Sequence, residues 1–201
     1  MIKIHTDGSC LGNPGAGGWA AVIVDEQNRR EEIFGGEVHT TNNRMELTAA
    51  IRALEKIPAG AQVELFTDSS YLKNAFTNGW LVKWKCNGWN NGKVLNQDLW
   101  RELDNLVSSR AVKFNWVKGH AGNFYNERCD TLARTTAEKF QRGEKIFTPP
   151  PKISEPLVLT PAEKIQRDEP TDSEPLEVDT PPKISAPTKK SVRYVQLSLF
   201  D

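Results

Sequence analysis

The chain has 201 residues, 26 basic and 26 acidic side chains and 38% hydrophobic residues, enough for one domain with a real core plus additional sequence. Zero net charge hides an asymmetry: residues 1–145 hold 19 Lys+Arg and 17 Asp+Glu, whereas 146–201 hold 7 and 9. The first residues, MIKIHTDG, read as a strand rather than a signal peptide. No apolar run reaches membrane-spanning length, and Cys10, Cys86 and Cys129 lack the paired spacing of a disulfide framework or a zinc site. These features point to a reducing cytoplasm.

In chain order, alternation predicts a strand over 2–7, then strands over 18–24 and 32–38. Residues 41–56 carry Met45, Ala49 and Leu54 at helical spacing, and Pro58 and Gly60 stop that helix. A strand over 63–67 and a short helix over 71–76 follow. The segment 78–91, rich in Trp, Asn and Gly, reads as irregular and exposed. A helix over 96–107, a strand over 112–117 and a helix over 124–140 complete the set, the last stopped by Gly143. Hairpin-linked strands followed by helix-separated strands imply an α/β fold: a mixed sheet with a parallel portion.

Four carboxylates stand out: Asp7 in IHTDGS, Glu46 in TNNRMEL, Asp68 in LFTDSS and Asp130 in NERCD. Asp7 and Asp68 share a pattern, an apolar and threonine run followed by Asp and a small residue. That pattern places both at strand ends, where open α/β sheets collect ligands. Converging acids repel unless a cation lies between them, and an all-oxygen set suits Mg²⁺ or Mn²⁺. Competing readings exist. Asn43 and Glu46 fit a helix capping box, and Asp130, one turn after Asn126, could solvate a helix face.

TDGSCLGNPG, TTNNRMELTAAI, TDSSY, WVKGHAG and NERCDTLA occur in this order. Together they resemble type 1 ribonuclease H of the bacterial kind, over about residues 2–142. The resemblance implies a ribonuclease H-like mixed five-stranded sheet with flanking helices. It also implies hydrolysis of the RNA strand of RNA–DNA hybrids by a monomer with two Mg²⁺ ions, leaving 5′-phosphate and 3′-hydroxyl ends. Asp7 would bridge the ions, with Glu46, Asp68 and Asp130 completing the shell. His120, in the glycine-flanked loop KGHAGN, would shuttle a proton or aid product release; histidine titrates near neutrality. His5 and His39 are read as ordinary core or surface residues.

By the same resemblance, Cys10, Asn13, Asn42 and Asn43 contact the minor groove, and Thr41 helps to hold a DNA-strand phosphate. Ser70, Trp80, Trp84 and Asn96 join them as substrate contacts. Turn and cap chemistry is the alternative role for the asparagines. Trp80, Lys83, Trp84, Lys85, Trp89 and Lys93 match the family's hybrid-binding protrusion, where aromatics and lysines stack and neutralise phosphates. The stretch CNGWNNGKVLNQ is short of lysine for that role, so weaker affinity with a shallower salt dependence is expected. Ser70 stands where glutamine is common, which removes reach toward one RNA contact. A non-catalytic hybrid-binding module is the alternative function, disfavoured because a pure binder has no use for four mutually repelling carboxylates. The hybrid-binding domain that usually precedes the eukaryotic form is not in this sequence, which favours a bacterial or phage source.

The composition then shifts. Ten of the twelve prolines and none of the six tryptophans fall within 149–187. Such a segment buries too little apolar area to offset its ordering entropy, so 144–194 is expected to be a disordered linker after a catalytic domain over 1–143. Its near-repeat, TPPPKIS and TPPKIS, is read as linker duplication. Residues 195–201 are read as a docking peptide. Within it Gln196-Leu197-Ser198-Leu199-Phe200 resembles the pentapeptide by which bacterial polymerases and repair proteins bind the β sliding clamp. Leu197, Leu199 and Phe200 would fill an apolar groove, with Gln196 at its edge. A flexible linker of roughly fifty residues reaches about 40 Å.

Overall fold

The computed structural model describes residues 1–144. The linker and docking-peptide expectations lie outside these residues. Five strands form one sheet in the order β3-β2-β1-β4-β5. β1 (Ile2–Leu11), β2 (Gly15–Val24) and β3 (Arg30–Thr40) are an antiparallel meander. β4 (Gln62–Thr67) and β5 (Ala111–Trp116) add on parallel to β1. The mixed sheet expected from the sequence is therefore present, with longer strands in the meander.

The first helix, α1 (Asn42–Glu55), crosses from the antiparallel half to the parallel half. α2 (Ser70–Thr77), α3 (Trp80–Cys86), the single turn α4 (Gly88–Asn91) and α5 (Gln97–Ser108) separate β4 from β5. α6 (Phe124–Gln141) follows β5. Strand alternation divides the core. Ile4, Ala21, Ile23 and Leu65 pack with Leu47, Ile51, Leu54, Trp100 and Leu103 from α1 and α5. Ala20, Val22 and Val24 pack with Cys129 and Ala133 of α6 in a second, smaller cluster.

Two glycines let the helices reach the sheet backbone. A Cβ on Gly8 would lie 2.3 Å from the Glu46 amide nitrogen, and one on Gly18 would lie 2.1 Å from the Ala133 carbonyl oxygen. These contacts set α1 and α6 directly over β1 and β2, one on each side of the strand that carries Asp7.

The sequence reading needs one correction over the segment 78–91, which is mostly exposed, as expected. It contains α3, Leu81 is buried, and Trp89 is only 7% exposed. The reason is tertiary. Trp84 packs on Trp100 with ring centroids 5.5 Å apart, Tyr71 packs on Trp100 at 5.2 Å, and the Trp100 indole donates to the Tyr71 hydroxyl at 3.0 Å. Arg101 covers the Trp89 ring at 4.7 Å. Trp89 and Asn90 take left-handed φ values of 59° and 53°, so no helical or strand period runs through them. Among the described residues no helix is long and apolar enough to cross a membrane.

Candidate active site

Asp7 is not at the end of its strand, contrary to the pattern read from the sequence. β1 continues to Leu11, but its pairing with β4 stops at Thr6 opposite Thr67. Asp7 thus sits where β1 loses its parallel neighbour, and Asp68, the residue after β4, lies beside that opening. The expected convergence holds for a different local reason: one strand ends and its neighbour does not.

Glu46 arrives from α1. The helix begins after Thr41, not at Asn43, so the capping-box alternative falls. The helix-end amide of Asn42 donates instead to the Asn13 side-chain oxygen at 3.1 Å. Glu46 is 5% exposed, and full burial of Leu47, Ile51 and Leu54 secures the helix beneath it. Each such side chain contributes about 1.5–3 kcal/mol, enough in sum to hold a carboxylate beside two others.

Asp7, Glu46 and Asp68 each offer an oxygen, all within 4.8 Å of one another. Burial, then Asp68, then Asp130 push the Asp7 carboxyl up to about 8, against a donated hydrogen bond from the Gly8 amide (2.8 Å) that favours its charged form. Burial, followed by Asp7 and Asp68, drives Glu46 well above the usual carboxylate range, opposed by a hydrogen bond from Asn42 Nδ2. Glu46 Oε2 is buried with no partner. A buried acceptor of this kind carries a desolvation cost that a bound cation removes. The oxygen-only donor set fits a hard divalent ion. Asp7, Glu46 and Asp68 would hold it.

Asp130 lies outside that tight trio. It is half-buried on α6, with its Oδ2 4.0 Å from His120 Nδ1. The His120 side chain is 77% exposed on a left-handed residue (φ 52°) in the loop before α6. His5 is a core residue: buried, stacked on Phe66 at 4.7 Å, and lowered to about 4 by burial and by Lys3. His39 is exposed. Cys129 packs as expected, donating to the His5 carbonyl, and burial raises its thiol out of the reactive range.

Two residues escaped the sequence reading. Asn126 is 2% exposed, and its Nδ2 donates to Asp68 Oδ2 at 3.1 Å. The Trp116 indole donates to the Asp68 carbonyl at 3.1 Å. Asn126 stands four residues before Asp130 on the same helix face, which is the signal that could have found it.

Of the expected substrate contacts, Asn42 meets the cluster directly, donating from Nδ2 to Glu46 Oε1. Asn13 is exposed, and Cys10 is half-buried, its thiol on the Thr40 carbonyl at 3.4 Å. Thr41 and Asn42 are half-buried and Asn43 exposed at the start of α1. Ser70 is exposed at the start of α2. Trp80 is 36% exposed and stands 6.1 Å from the half-buried Trp84. Asn96 is half-buried at the head of α5.

The RNase H family model matches residues 1–138. The chain belongs to the RNase H family. It is a type 1 member and, as such, a hydrolytic endonuclease. It is 50% identical over 136 residues to the Ribonuclease H of Wolbachia sp. subsp. Drosophila simulans, covering 66% of this chain and 92% of that one. With the Ribonuclease H of Pseudoalteromonas atlantica it shares 52% over 139 residues, 68% of this chain and 90% of that one. Among solved structures, it resembles LC9-RNase H1, a type 1 RNase H with the type 2 active-site motif. That match has a TM-score of 0.62 and 32% identity over 74% of this chain and 77% of the other. LC11-RNase H1 in complex with RNA/DNA hybrid matches with a TM-score of 0.50 and 26% identity over 69% and 98%.

Proposed function

We propose that this protein hydrolyses the RNA strand of RNA–DNA hybrids with two divalent ions, Mg²⁺ with Mn²⁺ able to substitute, leaving 5′-phosphate and 3′-hydroxyl ends. The observation that carries the reading is the trio Asp7, Glu46 and Asp68, in which Glu46 Oε2 is buried without a hydrogen-bond partner. The hybrid as substrate is supported by the relatives named Ribonuclease H and by LC11-RNase H1, solved with such a hybrid.

Divalent ions held here supply Lewis-acid activation of water and neutralise charge on the scissile phosphate. The chain's own residues prepare that chemistry. Asp7 would be the central ligand of the ions, with Glu46, Asp68 and Asp130 completing the set. Asn126 and Trp116 fix Asp68 at its side chain and its carbonyl. His120, exposed beside Asp130, carries a proton between the site and solvent. Cys10, Asn13, Asn42, Asn43 and Ser70 form the rim that senses 2′-hydroxyls on one strand and their absence on the other, and Thr41 helps to hold a DNA-strand phosphate. Trp80, Trp84 and Asn96 extend that rim along the duplex.

Cleavage of a labelled hybrid in Mg²⁺, beside duplex RNA, duplex DNA and an Asp68→Asn variant, tests this. Cutting of the hybrid's RNA alone, lost in EDTA and in the variant, supports it. Binding without cutting overturns it in favour of a hybrid-binding module.

The same reading places the protein in the cytoplasm, as a monomer that removes RNA primers and hybrids near newly copied DNA. Gln196, Leu197, Leu199 and Phe200, outside the described residues, would dock on the β sliding clamp and raise the enzyme's local concentration there. Truncation from Gln196 should abolish clamp binding and spare cleavage in free solution. Clamp binding that survives truncation refutes the docking role.

A further inference from the structure

The first turn of α1 ties together parts of the site that are far apart in sequence. On one side, Asn42 joins the Asn13 turn to Glu46, through its amide and its side chain respectively. On the other side, Arg44 reaches across to the head of α5. Its Nη2 donates to Asp98 Oδ2 at 2.9 Å. Its Nη1 donates to Asp98 Oδ1 at 3.2 Å and to Asn96 Oδ1 at 3.5 Å, the long end of the range.

Asn96 is placed unusually. An asparagine just before a helix ordinarily caps it, accepting from an amide two or three residues on. Here Asn96 has a left-handed φ of 59° and makes no side-chain cap bond with α5. Its side-chain oxygen is turned to Arg44 instead. A guanidinium has donors only, so the opposite flip would set donor against donor. Arg44 therefore fixes the amide orientation, with Nδ2 on the side away from the guanidinium. No described residue accepts from that Nδ2.

We propose that Arg44 is a positioning residue for substrate: its fork across Asp98 and Asn96 holds the Asn96 amide so that Nδ2 donates to an acceptor oxygen of the bound hybrid. The proposal rests on the hybrid-cleaving reading above. A planar fork is required, because a lysine ammonium satisfies one carboxylate without fixing a neighbouring amide. A purely structural role makes a different prediction. An ion pair whose side chains are 30% and 61% exposed contributes little to stability and nothing to substrate affinity.

Steady-state cleavage and hybrid anisotropy in EDTA, with melting temperatures, would be compared for wild type, Arg44→Ala, Arg44→Lys, Asn96→Ala and the Arg44→Ala/Asn96→Ala pair. The expected result is a KM about fivefold higher for Arg44→Ala with kcat held, the loss of one hydrogen bond. Arg44→Lys should lose nearly as much, and the double variant should be no worse than Asn96→Ala alone. Losses that multiply in the double variant, or an Arg44→Ala chain with unchanged KM and only a lower melting temperature, overturn the proposal. A wild-type chain that binds hybrid without cutting it refutes the catalytic reading instead, and anisotropy then still reports the coupling.

Discussion

The carboxylate cluster and the segment from Asn78 to Asn96 are built on opposite plans. The cluster is set on two strands and a helix whose neighbours are fully buried, and its acids are held together against their own repulsion. The later segment holds only the short α3 and the single turn α4. Gly79, Gly88, Trp89, Asn90, Gly92 and Asn96 all take positive φ, and its order comes from aromatic rings and from side chains reaching in from α1 and α5. The cluster costs folding energy and returns chemistry. The aromatic segment contributes folding energy and presents a surface.

Asp7→Asn should break the comparison most visibly. Cleavage should fall about a thousandfold, the scale of several kcal/mol of metal-dependent stabilisation, while the metal-free chain melts higher. A lower melting temperature would show that the cluster is not strained. Trp100→Ala is the counterpart in the other region. Removing an indole that is fully buried beneath Trp84 and Tyr71 should cost about 3–5 kcal/mol in denaturant unfolding, with loss of Trp84 order seen by fluorescence.

The third test uses pH. Asp7 releases its proton near its ordinary value of 3.8 when unfolded but only near 8 when folded without metal. The folded state therefore binds the extra proton between those values, and this group's contribution to stability falls as pH rises from about 4 to about 8. The metal-free melting temperature should decline across that window, Mg²⁺ should reduce the decline, and Asp7→Asn should lessen it, leaving the part that the buried Glu46 contributes. A metal-free profile that rises throughout would contradict the burial argument. The smallest effect is expected for Arg101→Ala, which uncovers the Trp89 ring and should cost about 0.5–1 kcal/mol, read as a small shift in the urea midpoint with kcat unchanged.

How far the sequence was legible follows from the same contrast. Periodic segments announced themselves: the five strands and the helices around Met45, Leu99 and Cys129 stand where apolar spacing put them. The clustered acids Asp7, Glu46 and Asp68 were legible because each sits in a short motif beside such an element. The capping box offered by Asn43 and Glu46 is a local pattern that competes with the metal reading, whereas the side chain that meets the α1 amide, Asn13, lies 29 residues away. The burial of Trp89 depends on Arg101, and the steering of Asp68 depends on Asn126, 58 residues on. No local period encodes contacts like these.

Gly8 carries no charge, no ligand atom and no proton, yet the helix bearing Glu46 rests on its bare α-carbon. In a saturation screen scored by survival, this position should tolerate nothing, not even alanine. Genetically it would be indistinguishable from Asp7 beside it. A map of mutational intolerance over this chain would therefore outline the seat of the site as sharply as the site, and geometry is what tells the two apart.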